Sequence, residues 1–205
     1  MNTEDLVKEI LLKVERAKKP ILCNVSARHL HIKKEDFEVL FGPNYELRKL
    51  RDLVQPGEFA SKERVTIVGP KREIKNVRIL GPFRKFTQIE ISRTDAITLG
   101  VNAPVRESGD IKGSAPIKII GPAGEIELKE GCIVARRHIH MTPQDAKEFK
   151  VNDKDIVRVE IPGERGGILD GVVVRVSPKY ALECHIDTDE ANTFDFKSGG
   201  YVYIV

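Results

Sequence analysis

Ala27-Arg28-His29-Leu30-His31 is answered later in the chain by Arg136-Arg137-His138-Ile139-His140. Each copy runs into a stretch of helical spacing, carrying Asp36 and Phe37 in the first case and Asp145 and Phe149 in the second. A second pair follows in the same order. Gln88-Ile89-Glu90-Ile91-Ser92-Arg93-Thr94-Asp95-Ala96 matches Glu183-Cys184-His185-Ile186-Asp187-Thr188-Asp189-Glu190-Ala191. The spacing from residue 29 to residue 138 is 109, too long for a solenoid repeat. The chain therefore reads as a duplicated half, two related lobes facing each other.

Around this frame, short apolar runs are punctuated by Gly-Pro turns. Val65–Val68 precedes Gly69-Pro70, Val77–Leu80 precedes Gly81-Pro82, and Ile117–Ile120 precedes Gly121-Pro122. Further strands are expected at Ile21–Val25, Ile156–Ile161, Val172–Val176, Leu182–Asp187 and Tyr201–Val205. Strands of this length with turns at this density predict small β-barrels rather than a doubly wound sheet. Short helices fit Lys34–Phe41, closed by Gly42-Pro43, and Thr142–Phe149, with Thr142 as cap and Pro143 at the first position. Arg106–Ser114 reads as a polar loop. The fold expected is mainly β: two small β-barrel domains related by internal duplication, with short helices and an N-terminal amphipathic helix.

That helix is expected over residues 4–18. Leu6, Val7, Ile10, Leu11 and Val14 share one face, and Lys8, Glu9, Lys13 and Glu15 the other. Thr3 could cap its start; Lys18 and Lys19 lead to Pro20. Two readings stay open: a helix packed on its own domain, or a detachable address for a partner.

Of the 205 residues, 40% are apolar and 32% charged, and no apolar run approaches a membrane span. The N-terminus lacks the basic and apolar regions of a signal peptide, so an intracellular protein is expected. Lys and Arg total 34 against 31 acidic residues, too even a balance for a nucleic-acid binder, while anionic small substrates fit. Aromatic residues are 6% and tryptophan is absent, which disfavours base stacking. Three cysteines at irregular spacing make no disulfide framework. Cys23, Cys132 and Cys184 are expected to be buried apolar residues.

All five histidines fall on the repeat frame. In extended backbone, residues i and i+2 project to one face, roughly 6.5–7 Å apart. Two imidazoles so placed can converge on one metal, while Leu30 and Ile139 between them point into a core. A catalytic zinc needs a third protein ligand. The repeat supplies it by aligning Glu90 with His185. One lobe thus offers His29, His31 and Glu90, and the other His138, His140 and His185. Nitrogen-rich ligation with one carboxylate favours zinc, although cobalt, nickel or iron could bind the same set. Arg84, six residues before Glu90, is either a solvated turn arginine or a bidentate partner for phosphate or carboxylate. Ser108 and Gly109 form a turn that could present a hydroxyl or backbone donors to an anion. Arg48, Lys49 and Arg51 read as a solvated basic loop. No Walker loop, dinucleotide fingerprint, nucleophile elbow or Cys-His pair is present, so positioned metals and charge must carry any chemistry.

The segments Ser26–His31, Leu53–Gly57, Thr66–Pro70, Val77–Pro82, Glu90–Ala96, Arg137–Met141 and His185–Asn192 resemble the zinc-dependent phosphotransacylases of the PduL type, the phosphate propanoyltransferases of bacterial microcompartments. The resemblance runs from about Ile21 to Asn192 without large gaps. It implies an N-terminal helix over 1–20, a discontinuous first barrel from 21–27 plus 136–205, and a second barrel from 28–135. It implies two zinc ions between the barrels, held by the six residues above, and Arg84 as the catalytic arginine. Coenzyme A, acyl-CoA, phosphate and acyl phosphate are then the reactants. The reaction is acyl-CoA plus phosphate to acyl phosphate plus CoA, with acetyl or propanoyl as the acyl group. Residues 4–18 resemble the encapsulation signal by which some members reach microcompartment shell or core proteins; the alternative is a cytoplasmic member with a short leading helix, and a homo-oligomer is compatible with either. No nucleic-acid or membrane partner is expected. Two other classes share the ligand set: a dinuclear zinc hydrolase of a thioester or amide, and a non-catalytic metal-binding protein of the microcompartment.

Overall fold

In a computed structural model that describes residues 2–16 and 19–205, the chain divides into two compact units. One comprises residues 1–26 and 137–205, the other 27–136. In chain order the elements are α1 (Thr3–Arg16), β1 (Ile21–Ser26), β2 (His29–His31), α2 (Lys34–Phe41), β3 (Lys49–Asp52), β4 (Phe59–Val68), β5 (Glu73–Gly81), β6 (Gln88–Glu90), α3 (Arg93–Leu99) and β7 (Val105–Arg106). They continue with β8 (Ala115–Ile120), β9 (Glu125–Ala135), β10 (His138–Met141), α4 (Pro143–Phe149), β11 (Ile156–Ile161), β12 (Gly167–Val176), β13 (Glu183–Asp187), α5 (Thr188–Thr193) and β14 (Gly200–Ile204).

The unit of residues 1–26 and 137–205 is a closed barrel in the order β1-β13-β10-β12-β11-β14. The first strand of the chain closes it, running parallel to β13 and antiparallel to β14. In the unit of residues 27–136, β4-β5-β2-β6-β9-β8 closes in the same way, because β8 pairs both β9 and β4. The strands β3 and β7 pair at its margins, with β4 and β9. Strand senses agree ring by ring. The His-x-His strand runs parallel to the strand before the third-donor strand, and antiparallel to the third-donor strand itself. This common order is consistent with duplication of one half.

Alternation builds the two cores. Along β11 the pattern of exposure is strictly in and out, with Val157, Val159 and Ile161 inward. Ile139, Val174, Cys184, Ile186 and Val202 fill one barrel, and Leu30, Ile67, Ile79, Ile89 and Ile119 the other. Each fully buried Ile or Leu contributes about 1.5–3 kcal/mol relative to an exposed one. At the Gly-Pro turns the glycine is required by contact. A Cβ on Gly69 would stand 2.3 Å from the Leu99 carbonyl oxygen at the end of α3, and one on Gly121 2.4 Å from that of Leu40 in α2.

Several expectations need correction. Asn2, not Thr3, caps α1: its side-chain oxygen accepts from the Asp5 N–H at 2.8 Å. Ala17 and Lys18, where the helix was expected to end, lie outside the described residues, as do the side chains of Lys8, Glu9 and Lys13. Lys49 and Arg51 belong to a strand, β3, not a loop. Arg48 ties that strand down by pairing with the buried Glu63 at 2.8 Å. The apolar face of α1 is not packed: Leu6, Val7, Ile10, Leu11 and Val14 are 44–57% exposed. The end of the helix is held instead by polar bonds. Arg16 donates from Nε to the Phe149 carbonyl at 2.7 Å and from Nη2 to that of Lys150 at 2.6 Å, at the C-terminus of α4.

Candidate metal centre

Register brings the expected donors together. On β2 and β6, His29 faces Glu90 and His31 faces Gln88. On β10 and β13, His138 faces His185 and His140 faces Glu183. Directly opposed residues of antiparallel strands share a face. The side chains of His29, His31 and Glu90 therefore converge, with donor atoms within 4.8 Å of one another; so do those of His138, His140 and His185. Leu30 and Ile139, between the histidines of each pair, are fully buried in the two cores.

The same salt bridge steadies each His-x-His strand. Arg28, just before His29, grips Asp95 through Nε and Nη2, both at 2.8 Å. Arg137, just before His138, donates to Glu190 at 2.7 Å. Asp95 and Glu190 are the third residues of α3 and α5, and each closes a capping box with Ser92 or Asp187. The helix that follows each third-donor strand is thus fastened to the strand carrying the histidines.

The electrostatics suit a cation. His29 Nδ1 lies 2.9 Å from the Ala27 carbonyl, which can only accept. The proton therefore sits on Nδ1, and the lone pair of Nε2 faces Glu90 Oε2 at 3.4 Å. Burial pushes His31 down to about 3, with His29 and Arg84 adding to the effect and Glu90 opposing it. Its ring is accordingly neutral at physiological pH, the form that ligates. His31 Nδ1 is buried with no hydrogen-bond partner. His185 Nε2 is buried too and makes no hydrogen bond, although Glu183 Oε2 lies 3.1 Å away. Orphaned imidazole nitrogens inside sets of three N and O donors fit a borderline-soft divalent ion.

Arg84 lies in the same unit as His31, close enough to lower its pKa. Its backbone N–H donates to the Ile32 carbonyl at 2.8 Å and its guanidinium pairs with Glu58. Ser108 and Gly109 meet Glu90 through an intermediary that the sequence reasoning passed over. Gln88, fully buried, touches all three. Glu183 holds the corresponding place in the other barrel, fixed by the Asn24 amide at 2.7 Å. Tyr180 was also missed; its ring lies 4.1 Å from that of His140, with Arg175 5.9 Å from the tyrosine centroid on β12. Gln88 and Glu183 stand two residues before Glu90 and His185, so the repeat frame itself was the signal for them.

All three cysteines are free and buried. Burial pushes Cys132 up to about 12, and a hydrogen bond with Cys23 together with burial carries Cys184 well above the ordinary thiol range. No helix among the described residues is long and apolar enough to cross a membrane.

The sequence model of the phosphate propanoyltransferase family matches residues 22–197. Among curated proteins, a phosphate propanoyltransferase of Thermotoga maritima is 55% identical over 186 residues, covering 90% of this chain and 89% of its own. One of Clostridioides difficile is 50% identical over 205 residues, 98% of each chain. One of Salmonella typhimurium is 49% identical over 192 residues, 92% of this chain and 91% of its own. The matched span includes both His-x-His strands, both third-donor strands and Arg84, and the chain belongs to the phosphate propanoyltransferase family and is an acyltransferase.

Proposed function

We propose that the enzyme converts acyl-CoA and phosphate to acyl phosphate and CoA, reversibly, at a dinuclear zinc site. His29, His31 and Glu90 hold one zinc, and His138, His140 and His185 the other. The observation that carries this reading is the pair of three-donor clusters at matching register in the two barrels. The relatives are named phosphate propanoyltransferases, which supports phosphate and a propanoyl group as reactants; acetyl is the other acyl group of this reading.

When bound, zinc supplies Lewis-acid polarisation and an affinity for sulfur suited to a thiolate leaving group. The protein supplies the rest. The Arg84 guanidinium, steadied by Glu58, binds phosphate in a bidentate fashion and offsets the charge that develops on it. The Ser108 hydroxyl offers a further donor to the anion, while the Gly109 N–H, engaged by Gln88, fixes the turn that carries it. A phosphate oxygen attacks the thioester carbonyl, the carbon–sulfur bond breaks, and CoA departs as the thiolate. Burial of all three cysteines, with the Cys132 and Cys184 thiols held above their ordinary range, supports direct transfer in a ternary complex over an acyl-enzyme.

The exposed apolar row of α1 supports a further part of the reading. It docks on a shell or core protein, so that the enzyme works in the cytoplasm inside a bacterial microcompartment. The deciding assay is release of free thiol from acetyl- or propanoyl-CoA with and without phosphate. Phosphate-dependent release is expected. Release without phosphate would identify a hydrolase, and none at all in metal-replete protein a binding protein. Parallel lines in a double-reciprocal plot would sink direct transfer.

A further inference from the structure

Gln88 lies at the inner end of the candidate site and is fully buried. Its amide makes three hydrogen bonds. Oε1 accepts from the Gly109 N–H at 2.7 Å, while Nε2 donates to Glu90 Oε1 at 2.6 Å and to Ser108 Oγ at 3.0 Å. The orientation of the amide is forced. A backbone N–H only donates, so the carbonyl oxygen must face Gly109, and the NH₂ group must then face the carboxylate. Two consequences follow from this geometry. One oxygen of Glu90, Oε1, is engaged by Gln88, and it is the other, Oε2, that faces the His29 ring at 3.4 Å. And the Ser108 hydroxyl, already accepting from Gln88, keeps its own proton for another acceptor.

We propose that Gln88 is a positioning residue: one buried amide holds Glu90 as a single-oxygen metal ligand and, through the same group, fixes the Ser108–Gly109 turn so that the Ser108 hydroxyl donates to the phosphate substrate. This rests on the reading of the site under Proposed function. It also accounts for a difference between the barrels. Glu183 stands where Gln88 does, but the third donor beside it is an imidazole, His185, against which a carboxylate is tolerated. Beside Glu90 only a donor at this position avoids setting two carboxylates 2.6 Å apart.

The test uses Gln88→Met, close in size but without hydrogen bonds, Gln88→Glu, and Ser108→Ala. Zinc release from each holoenzyme to a chromophoric chelator is followed alongside the KM for phosphate and for acyl-CoA. In Gln88→Met one of the two zinc equivalents should be released about tenfold or more readily while the other is unchanged, the usual effect of losing a ligand's hydrogen-bond partner. The KM for phosphate should rise severalfold and that for acyl-CoA should not. Gln88→Glu should loosen the same equivalent further. Ser108→Ala should raise the KM for phosphate with both equivalents retained, a result that remains readable if the Gln88 variants fail to fold. A purely structural role would loosen both equivalents alike, and that outcome overturns the proposal, as does a Gln88→Met enzyme with parental zinc release and parental phosphate KM. If the parent enzyme shows no phosphate-dependent thiol release, the functional reading falls instead, and the unequal release of zinc still decides whether Gln88 holds Glu90.

Discussion

At the scale of single residues, Arg84 and Glu90 bear most directly on the chemistry. Arg84 lies close enough to His31 to lower its pKa and is not among the clustered donors, so the role proposed for it is charge rather than ligation. The change Arg84→Ala should lower kcat by about a hundredfold or more with zinc content intact, the scale of losing one transition-state donor. Arg84→Lys should recover only part, since an ammonium lacks the bidentate fork. Near-parental turnover in the Ala variant would remove Arg84 from the site. Glu90 and His185 hold matching places in the two clusters, one a carboxylate and one an imidazole. A carboxylate would weaken the Lewis acidity of its metal, and on the proposed reading the Glu90 centre takes phosphate and the all-histidine centre the CoA thiol. Glu90→His should keep two zinc ions, because three histidines are a competent set, and raise the KM for phosphate more than that for CoA. CoA sulfur found on the His29–His31–Glu90 metal would reverse the assignment. These residues were legible in the sequence because five histidines on one repeat frame leave little choice of partner. Gln88 was not, because an amide carries no metal-ligand signature and its meaning lies in the three groups it touches.

At the scale of elements, the His-x-His strands do two things at once: alternate side chains present candidate metal donors on one side and anchor in a core on the other. Ile139 is fully buried between His138 and His140. Ile139→Ala should therefore cost about 2–5 kcal/mol of stability, read from chemical denaturation, and should lower zinc retention at the His138–His140–His185 set before that of the other. A stable variant with unchanged zinc binding would show that the strand is held from elsewhere. The helix of Thr142–Phe149 reading and its Pro143 start were plain from capping chemistry, and Thr142 indeed accepts from the Asp145 N–H. The long β9 was not anticipated. Its first half alternates Glu125, Glu127 and Lys129 with half-buried Ile126 and Leu128, and only its second half runs into the core. A strand that is polar on one side and then buried on both gives two different sequence patterns, and neither half alone reaches the usual length signal.

At the scale of the whole molecule, the N-terminus has two unlike parts. Removing residues 1–19 should leave a soluble, active enzyme, since no clustered donor and no barrel strand lies there. It should change the assembly state, read by light scattering, because the exposed apolar row of α1 goes with it. Loss of all specific activity in a folded truncation would make α1 part of the catalytic unit. Extending the deletion to residue 26 removes β1, which pairs with both β13 and β14. That should open the barrel and abolish the cooperative melting of its unit. Elemental analysis should find two zinc ions in each fully active chain; chelation should abolish activity and added zinc restore it. One metal or none in fully active protein would refute the dinuclear reading.

The sequence by itself determined the strand-rich character, the two-lobed repeat and the six donors, because alternation, Gly-Pro turns and rare histidines are local signals that survive without knowledge of contacts. Only the tertiary structure decided which strands close each ring. The first strand of the chain completes a barrel whose other strands begin more than a hundred residues later, and no local pattern records a partner so distant. The structure alone also decided the Arg28–Asp95 and Arg137–Glu190 clamps and the buried amide of Gln88. A polar side chain looks solvated in sequence, and it becomes a buried tie only where folding removes water and leaves a neighbouring group as its sole partner.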